Sequence, residues 1–515
     1  MTTSLRSAAW VAALLVGTAA CTADDDALPP GSSPIAAARA TEVACPEDIT
    51  RVVVATPTCT TVTVLEGGAD PDRTVSLFVT RIPPAGGVEH EDPVVVVGTE
   101  LATVPNYGGI APLADRVRRE VIVLDPRGVG HSRPALDCPE VDALSASVIG
   151  AATDDEQVRA SWTAAVAACH DRLVAQPVDP AAYTQEAMAK DVVQVVRALD
   201  LPSWNLVSYG TAGRVALAVL PLDPPGLRSM VLDSPELPTD DARSFALPRT
   251  QQAVEAVLEL CRAEADCDRT FRLGTKAVVH AVRSLDRDPV VRTIDLSSGS
   301  TDVRYDGALL VRLLRYFVGG SASAGPEFTP SGVPALLRTV LDGKLARLDT
   351  RVAGQIAGDQ PYCLGYFAHC EANHRLSLGV YLSHVCGDLP SYTAPARRQR
   401  KAFGVALESG PYADVCRAWP VPPPSQPPAD VGASDVPVLV AVGALNPFID
   451  PEGLRRGLAP LTRLQFLVHP TAGHNIVGSQ ACVADARTAW LDNLAMEVAD
   501  ACADAPPPDF YPSIE

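Results

Sequence analysis

The chain has 515 residues, of which 47% are hydrophobic and 20% charged, and its formal net charge is −19. That composition provides for a large packed core. The negative balance excludes nucleic acid as a partner, because such a surface repels phosphate.

Residues 1–21 read as an export signal. Arg6 precedes the apolar run AAWVAALLVGTAA (8–20), which is too short to span a bilayer. Its small-residue end directly before Cys21 resembles a bacterial lipoprotein signal, in which that cysteine becomes the lipidated first residue. Plain secretion with cleavage after Thr-Ala-Ala is the alternative. Either way the protein is expected to be exported, touching a membrane only through a lipid on Cys21. Residues 22–44 are then expected to form a flexible, acidic, Pro/Ser-rich linker. Thirteen cysteines less Cys21 leave an even number, suited to bridges in an oxidising compartment. Short separations suggest Cys45–Cys59, Cys138–Cys169, Cys261–Cys267, Cys363–Cys370, Cys386–Cys416 and Cys482–Cys502. No C-x-x-C pair occurs and the histidines do not fall at metal-ligand spacings, so neither a metal nor another cofactor is expected.

Beyond residue 45, strand-like and helix-like runs alternate, the pattern of an α/β fold with a mostly parallel central sheet and helices on both faces. PVVVVG (93–98) and EVIVLD (120–125) are continuous apolar strands of the buried parallel kind. EAMAKDVVQVVRALDL (186–201) has helical spacing and leads into WNLVS (204–208), and GLRSMVLDS (226–234) is the next strand. From 240 to 430 the pattern is mostly helical, with interruptions such as VGGSASAGPEFTPSG (318–332). This stretch is expected to be an inserted helical lid, with PVPPPSQPPAD (420–430) as a stiff return linker. Within it His369, His374 and His384 are expected at the surface or in packing roles. Strands resume at VPVLVAVG (436–443) and RLQFLVH (463–469), and ARTAWLDNLAM (486–496) closes with a helix. The core is thus expected to comprise 45–239 and 431–515.

Several stretches together resemble the secreted tripeptidyl aminopeptidases and prolyl iminopeptidases, which are α/β-hydrolase exopeptidases. They are LDPRGVGHSRPALDCPE (124–140), WNL with SYGT (204–211), RSMVLDS (228–234), YLSHVCGDLP (381–390), CRAWPV (416–421) and HPTAGHNIVGSQACV (469–483). The resemblance implies an α/β-hydrolase core under a helical lid. It also implies a serine nucleophile, a histidine base, an aspartate that orients it, and backbone amides that hold the oxyanion.

Placed residue by residue, the resemblance departs from its own chemistry. AGH (472–474) puts His474 at the base position. GALNPFIDPEG (443–453) carries Asn446 where the family has aspartate in G-x-x-D-P. Asp450, four residues on, and Asp233, after an earlier strand, are the acids that might stand in. The strand-turn-helix around WNLVSYGTAGRVAL (204–217) has the shape of a nucleophile elbow but not its G-x-S-x-G spelling. Two registers compete. One makes Ser208 the nucleophile by literal match to S-Y-G-T. The other puts Gly210 at the nucleophile position without gaps from Asp191 to Asp233. The second fits the sterics better: it flanks the apex with Ser208 and Ala212 rather than placing Leu206 at the close approach. Glycine also adopts the strained apex conformation at little cost. Oxyanion amides are expected from Thr211 and Thr99, although GTELATVPNYGG (98–109) replaces the family's glycine-rich turn, and Glu100 would bring negative charge beside the oxyanion. NYGG (106–109) is the alternative source of those amides.

The expectation is therefore an exported hydrolase-fold protein with impaired serine chemistry, binding a short peptide or small-molecule ligand in the core–lid cleft. Two alternatives stand beside it. One is an active serine exopeptidase using Ser208 and His474, and the other is a structural or interaction lipoprotein that uses the fold as a rigid body.

Overall fold

A computed structural model describes residues 38–510. It leaves out 54, 68–69, 71, 99–106, 142–143, 145–155, 240–241, 297–298, 321–328, 357–376, 389–401, 405–411, 423–429, 475 and 477–478. The signal, Cys21, Thr99, Glu100, Cys363, Cys370, His369 and His374 lie outside the described residues.

Nine strands make the main sheet: β1 (Arg39–Val43), β2 (Thr58–Leu65), β3 (Thr74–Ile82), β4 (Val94–Val97), β5 (Val121–Asp125), β6 (Trp204–Tyr209), β7 (Leu227–Asp233), β10 (Val438–Gly443) and β11 (Leu464–His469). Their order is β1-β2-β3-β5-β4-β6-β7-β10-β11. The first four pair antiparallel, and from β5 through β11 every pairing is parallel. The remaining two strands, β8 (Val290–Leu296) and β9 (Gly299–Tyr305), form a separate antiparallel hairpin.

The helices that matter for the site are α1 (Glu156–Val174), α2 (Gln185–Ala198), α3 (Ala212–Val219), α4 (Ala242–Ala263), α5 (Gly307–Gly319), α6 (Leu378–Gly387), α7 (Tyr412–Ala418), α8 (Pro451–Gly457) and α9 (Ala481–Asp492).

The parallel strands are apolar without alternation because both faces are covered. In β6, Leu206 joins a cluster with Met188 and Val192 of α2 on one face. Val207 joins Leu467 and Trp490 of α9 on the other. The order of connection reverses between β4 and β6, and at such a switch point the carboxyl ends of the strands leave a crevice. The turn after β6 opens there.

The LDPRGVGHSRP stretch braces this region from below. Arg127 is buried and pairs through Nε and Nη2 with Asp191 of α2, both at 2.7 Å, and its Nη1 donates to the carbonyls of Glu66 and Ala182. Ser132 donates to the Asp125 carbonyl and accepts the Phe78 amide, tying the loop to β3 and β5.

Three sequence-based boundaries shift. Arg39–Val43 belongs to the expected linker, yet it pairs with β2 from Arg39↔Thr63 to Val43↔Cys59, and a disulfide joins Cys45 to Cys59 just beyond. A backbone with a free sheet edge beside it gains ladder hydrogen bonds that a solvated tether lacks. The lid stretch is not wholly helical either, since it includes the β8–β9 hairpin. Its return part packs elsewhere: Val380, Leu382 and Val385 of α6, with Val415 and Trp419 around α7, belong to the main core cluster. Residues of α4 and α5, together with Val303 and Tyr305 of β9, form their own apolar cluster, the cap. Leu445, from the loop after β10, is buried in that cap cluster.

His384 does serve in packing. It is buried in α6, with Nδ1 2.9 Å from Asp388 Oδ2 and Nε2 2.6 Å from Gln185 Nε2. Five of the expected disulfides are present: Cys45–Cys59, Cys138–Cys169, Cys261–Cys267, Cys386–Cys416 and Cys482–Cys502. They fit an oxidising, extracellular environment. No helix among the described residues is long and apolar enough to cross a membrane.

Candidate active site

At the end of β6 the chain turns sharply into α3, and Gly210 sits at the apex with φ +55°. That left-handed value is the strained conformation of an elbow apex, cheap for glycine and costly for a side chain. The Gly210 amide donates to the Asp233 carbonyl at 2.8 Å, and its carbonyl accepts the amides of Gly213 and Glu236. The turn is therefore held between β7 and the start of α3.

A Cβ built on Gly210 would lie 3.2 Å from His474 Nε2. Apart from its chain neighbours, no other described residue stands within 4 Å of that point. The structure thus brings together the expected base and the gap-free nucleophile position.

Ser208 is placed differently. It lies within β6, paired in register with Val97 of β4 and Leu232 of β7, and is fully buried. Its Oγ has no hydrogen-bond partner among the described residues, so it is not joined to His474. The literal S-Y-G-T match puts the serine two residues too early, in the strand rather than at the apex.

The acid position is occupied by Asn446, fully buried in the loop after β10. Its Oδ1 accepts two backbone amides, Phe448 at 2.9 Å and Ile449 at 3.1 Å. Those amides require an oxygen, so the nitrogen of the side chain is the atom that faces His474 Nδ1 at 2.9 Å. An amide nitrogen only donates. Nδ1 must accept, and a neutral imidazole then carries its proton on Nε2. Burial keeps the ring neutral, pushing its pKa down to about 4 against an upward pull from Glu236. A catalytic triad needs the opposite tautomer, with a proton on Nδ1 and a lone pair on Nε2 aimed at the nucleophile.

Neither expected substitute acid reaches the ring. Asp450 caps the N-terminus of α8, accepting the Gly453 amide at 2.9 Å. Asp233 accepts the Ile476 amide at 3.1 Å and so holds the backbone of the histidine loop, not its ring. Thr211 follows the apex at the head of α3, the position whose backbone N–H serves as an oxyanion donor in a working elbow. Its Oγ1 is buried without a partner among the described residues.

Three groups that hold the site were not singled out from sequence. Arg249 of α4 donates to the carbonyls of Asn446 (2.9 Å), Ile449 (3.2 Å) and Ala444 (2.6 Å), clasping the acid loop from the cap. Phe448 stands edge-on to His474, with ring centroids 5.1 Å apart. The His474 amide donates to the Gly319 carbonyl at the end of α5. Beside it, a Cβ on Gly473 would come within 2.0 Å of the Val318 carbonyl, so only glycine lets this loop lie against α5. The sequence signal was weak: one arginine in a helical stretch and an aromatic after Asn-Pro.

His469 lies near Cys482 and Cys502, but those sulfurs are joined to each other and offer no thiolate to a metal.

Comparison with known proteins agrees with this architecture. A model of the alpha/beta hydrolase fold matches residues 92–270, and one described as TAP-like protein matches residues 400–502. No curated protein matches the chain. Among solved structures it is similar to a proline iminopeptidase of Mycobacterium smegmatis, at 13% identity over 87% of this chain and 100% of that one, with a TM-score of 0.38. It is also similar to a thermophilic esterase from Thermogutta terrifontis, at 15% identity over 85% and 99% of the two chains, with a TM-score of 0.35. The chain is an α/β-hydrolase-fold protein with a TAP-like C-terminal region.

Proposed function

We propose that this protein is an exported member of its fold class that has lost serine hydrolysis and instead binds a short peptide-like or small ligand between core and cap. The observation that carries the reading is the bare apex: Gly210, with no side chain, lies where His474 Nε2 points. An attacking oxygen is missing from that position, and the nearest serine in sequence is buried in the strand without a hydrogen-bond link to the histidine. The amide at Asn446 compounds the loss, since the matching Asp-to-Asn change in a serine protease triad lowers kcat about 10⁴-fold through the wrong tautomer. The apolar run ending at Cys21 supports a lipid anchor on the mature chain.

The test is exposure of the purified, disulfide-bonded protein to a fluorophosphonate serine-hydrolase probe, with Ser208→Ala as control. No labelling is expected. Labelling of the wild type that vanishes in Ser208→Ala would make Ser208 an activated nucleophile and end this reading.

A further inference from the structure

His474 is left with a proton on Nε2, and that proton faces the space a side chain at residue 210 would fill. A triad offers an attacking group and a base here. This chain offers a hydrogen-bond donor facing a position that no side chain of the described residues fills.

The acidic groups close by are already engaged. Glu236, whose field reaches the ring, is paired with buried Arg214 at 2.9 Å. Asp233 accepts the Ile476 amide. Asn446 Oδ1 is taken up by two backbone amides. The unused polar groups at the turn are donors: Nε2–H and Thr211, whose Oγ1 is buried without a partner among the described residues. Two polar groups without partners among the described residues, in a place whose neighbouring carboxylates are engaged, are complementary to an anionic oxygen.

We infer that the place beside Gly210 is a seat for a carboxylate oxygen, so that the ligand is bound as a free acid, with Nε2–H of His474 donating to it and Thr211 adjoining. This rests on the reading of the site as a binding site without hydrolysis, and it names the ligand chemistry at the apex. An amide or ester group offers these donors a weaker, neutral acceptor. His474 is itself partly exposed, so a small acid reaches it.

The experiment follows His474 by long-range ¹H–¹⁵N correlation in histidine-labelled protein, with acetate as probe and acetamide as its uncharged isostere. The free protein is expected to show the Nε2–H tautomer. Acetate should move the Nε2 resonance saturably, at least about ten-fold more tightly than acetamide, as a charged acceptor outcompetes a neutral one. In Asn446→Asp the proton should shift to Nδ1 and the preference for acetate should vanish. Gly210→Ala, shown folded by circular dichroism, should also lose the response because its methyl fills the seat. An Nδ1–H tautomer in the wild type, equal responses to acetate and acetamide, or no response to either overturns the inference. These outcomes are separable from failure of the underlying reading, which shows as fluorophosphonate labelling.

Discussion

Aspartate and asparagine differ by one terminal atom, yet at position 446 that atom decides where a proton sits 2.9 Å away. The decision is made by the backbone amides of Phe448 and Ile449, which claim the only oxygen of the amide group. Restoring aspartate would leave one oxygen for those amides and turn the other toward Nδ1, re-creating an orienting acceptor. The same ring carries a pH signature. Its folded pKa of about 4 lies below the ordinary value of 6.5, so the unfolded chain binds the extra proton more readily. The associated stability is present in full above about pH 6.5 and drains away as pH falls toward about 4. His469, also lowered by burial, acts in the same direction. Chemical denaturation from pH 7 to 4 should therefore show declining stability, with a shallower decline in His474→Gln. An unchanged slope in that variant would deny His474 its neutral state.

At the scale of elements, the site is a junction between core loops and two cap helices. Arg249 of α4 gives three hydrogen bonds to the acid loop, each from a charged donor. Arg249→Ala should cost about 2–3 kcal/mol in denaturant unfolding, because the carbonyls left behind are partly buried. A change within about 0.5 kcal/mol would mean the loop holds itself. Gly473→Ala is a sharper probe. Its methyl would meet the Val318 carbonyl at 2.0 Å, so the histidine loop and α5 must part, and a loss of at least about 2 kcal/mol is expected. Parallel strands such as VVVV and VIVLD were legible because full burial writes an unbroken apolar run. The VVRTIDL strand and its partner were not, since a short exposed hairpin inside a long helical stretch leaves little periodic signal. The partner of α6 was equally hidden: an apolar helix states that it will be buried, not against which core. At the site, the gap-free spacing and small flanking residues identified the apex, while the orientation of Asn446 depended on loop amides that no side-chain pattern records.

Across the whole molecule, cap and core share a boundary that does not follow the chain. Helix α6 and the stretch from Val415 to Trp419 leave the cap stretch and pack on the sheet side, stapled by Cys386–Cys416 and by the Trp419 indole donating to Ser383, whereas Ala402 and Phe403 between them stay in the cap cluster. Replacing both cysteines with serine should lower stability by about 2–5 kcal/mol. It should also raise hydrogen exchange in α6 and α7 ahead of the cap helices α4 and α5. Uniform loosening of the cap instead would place these helices in the cap's cooperative unit. The disulfide framework fits an oxidising, extracellular environment, and two departures from the family pattern, Gly210 and Asn446, both lie at the His474 ring. That distribution fits a scaffold kept intact around an altered centre.

The most direct test of that altered centre compares fluorophosphonate labelling rates of two folded variants, Gly210→Ser and Gly210→Ser with Asn446→Asp. A serine at the apex beside Nε2–H lacks a base, whereas the added aspartate returns the lone pair to Nε2. The double variant should label faster by a factor on the order of 10⁴, the effect of tautomer control in a serine triad. Equal rates, including no labelling of either protein, would contradict the account.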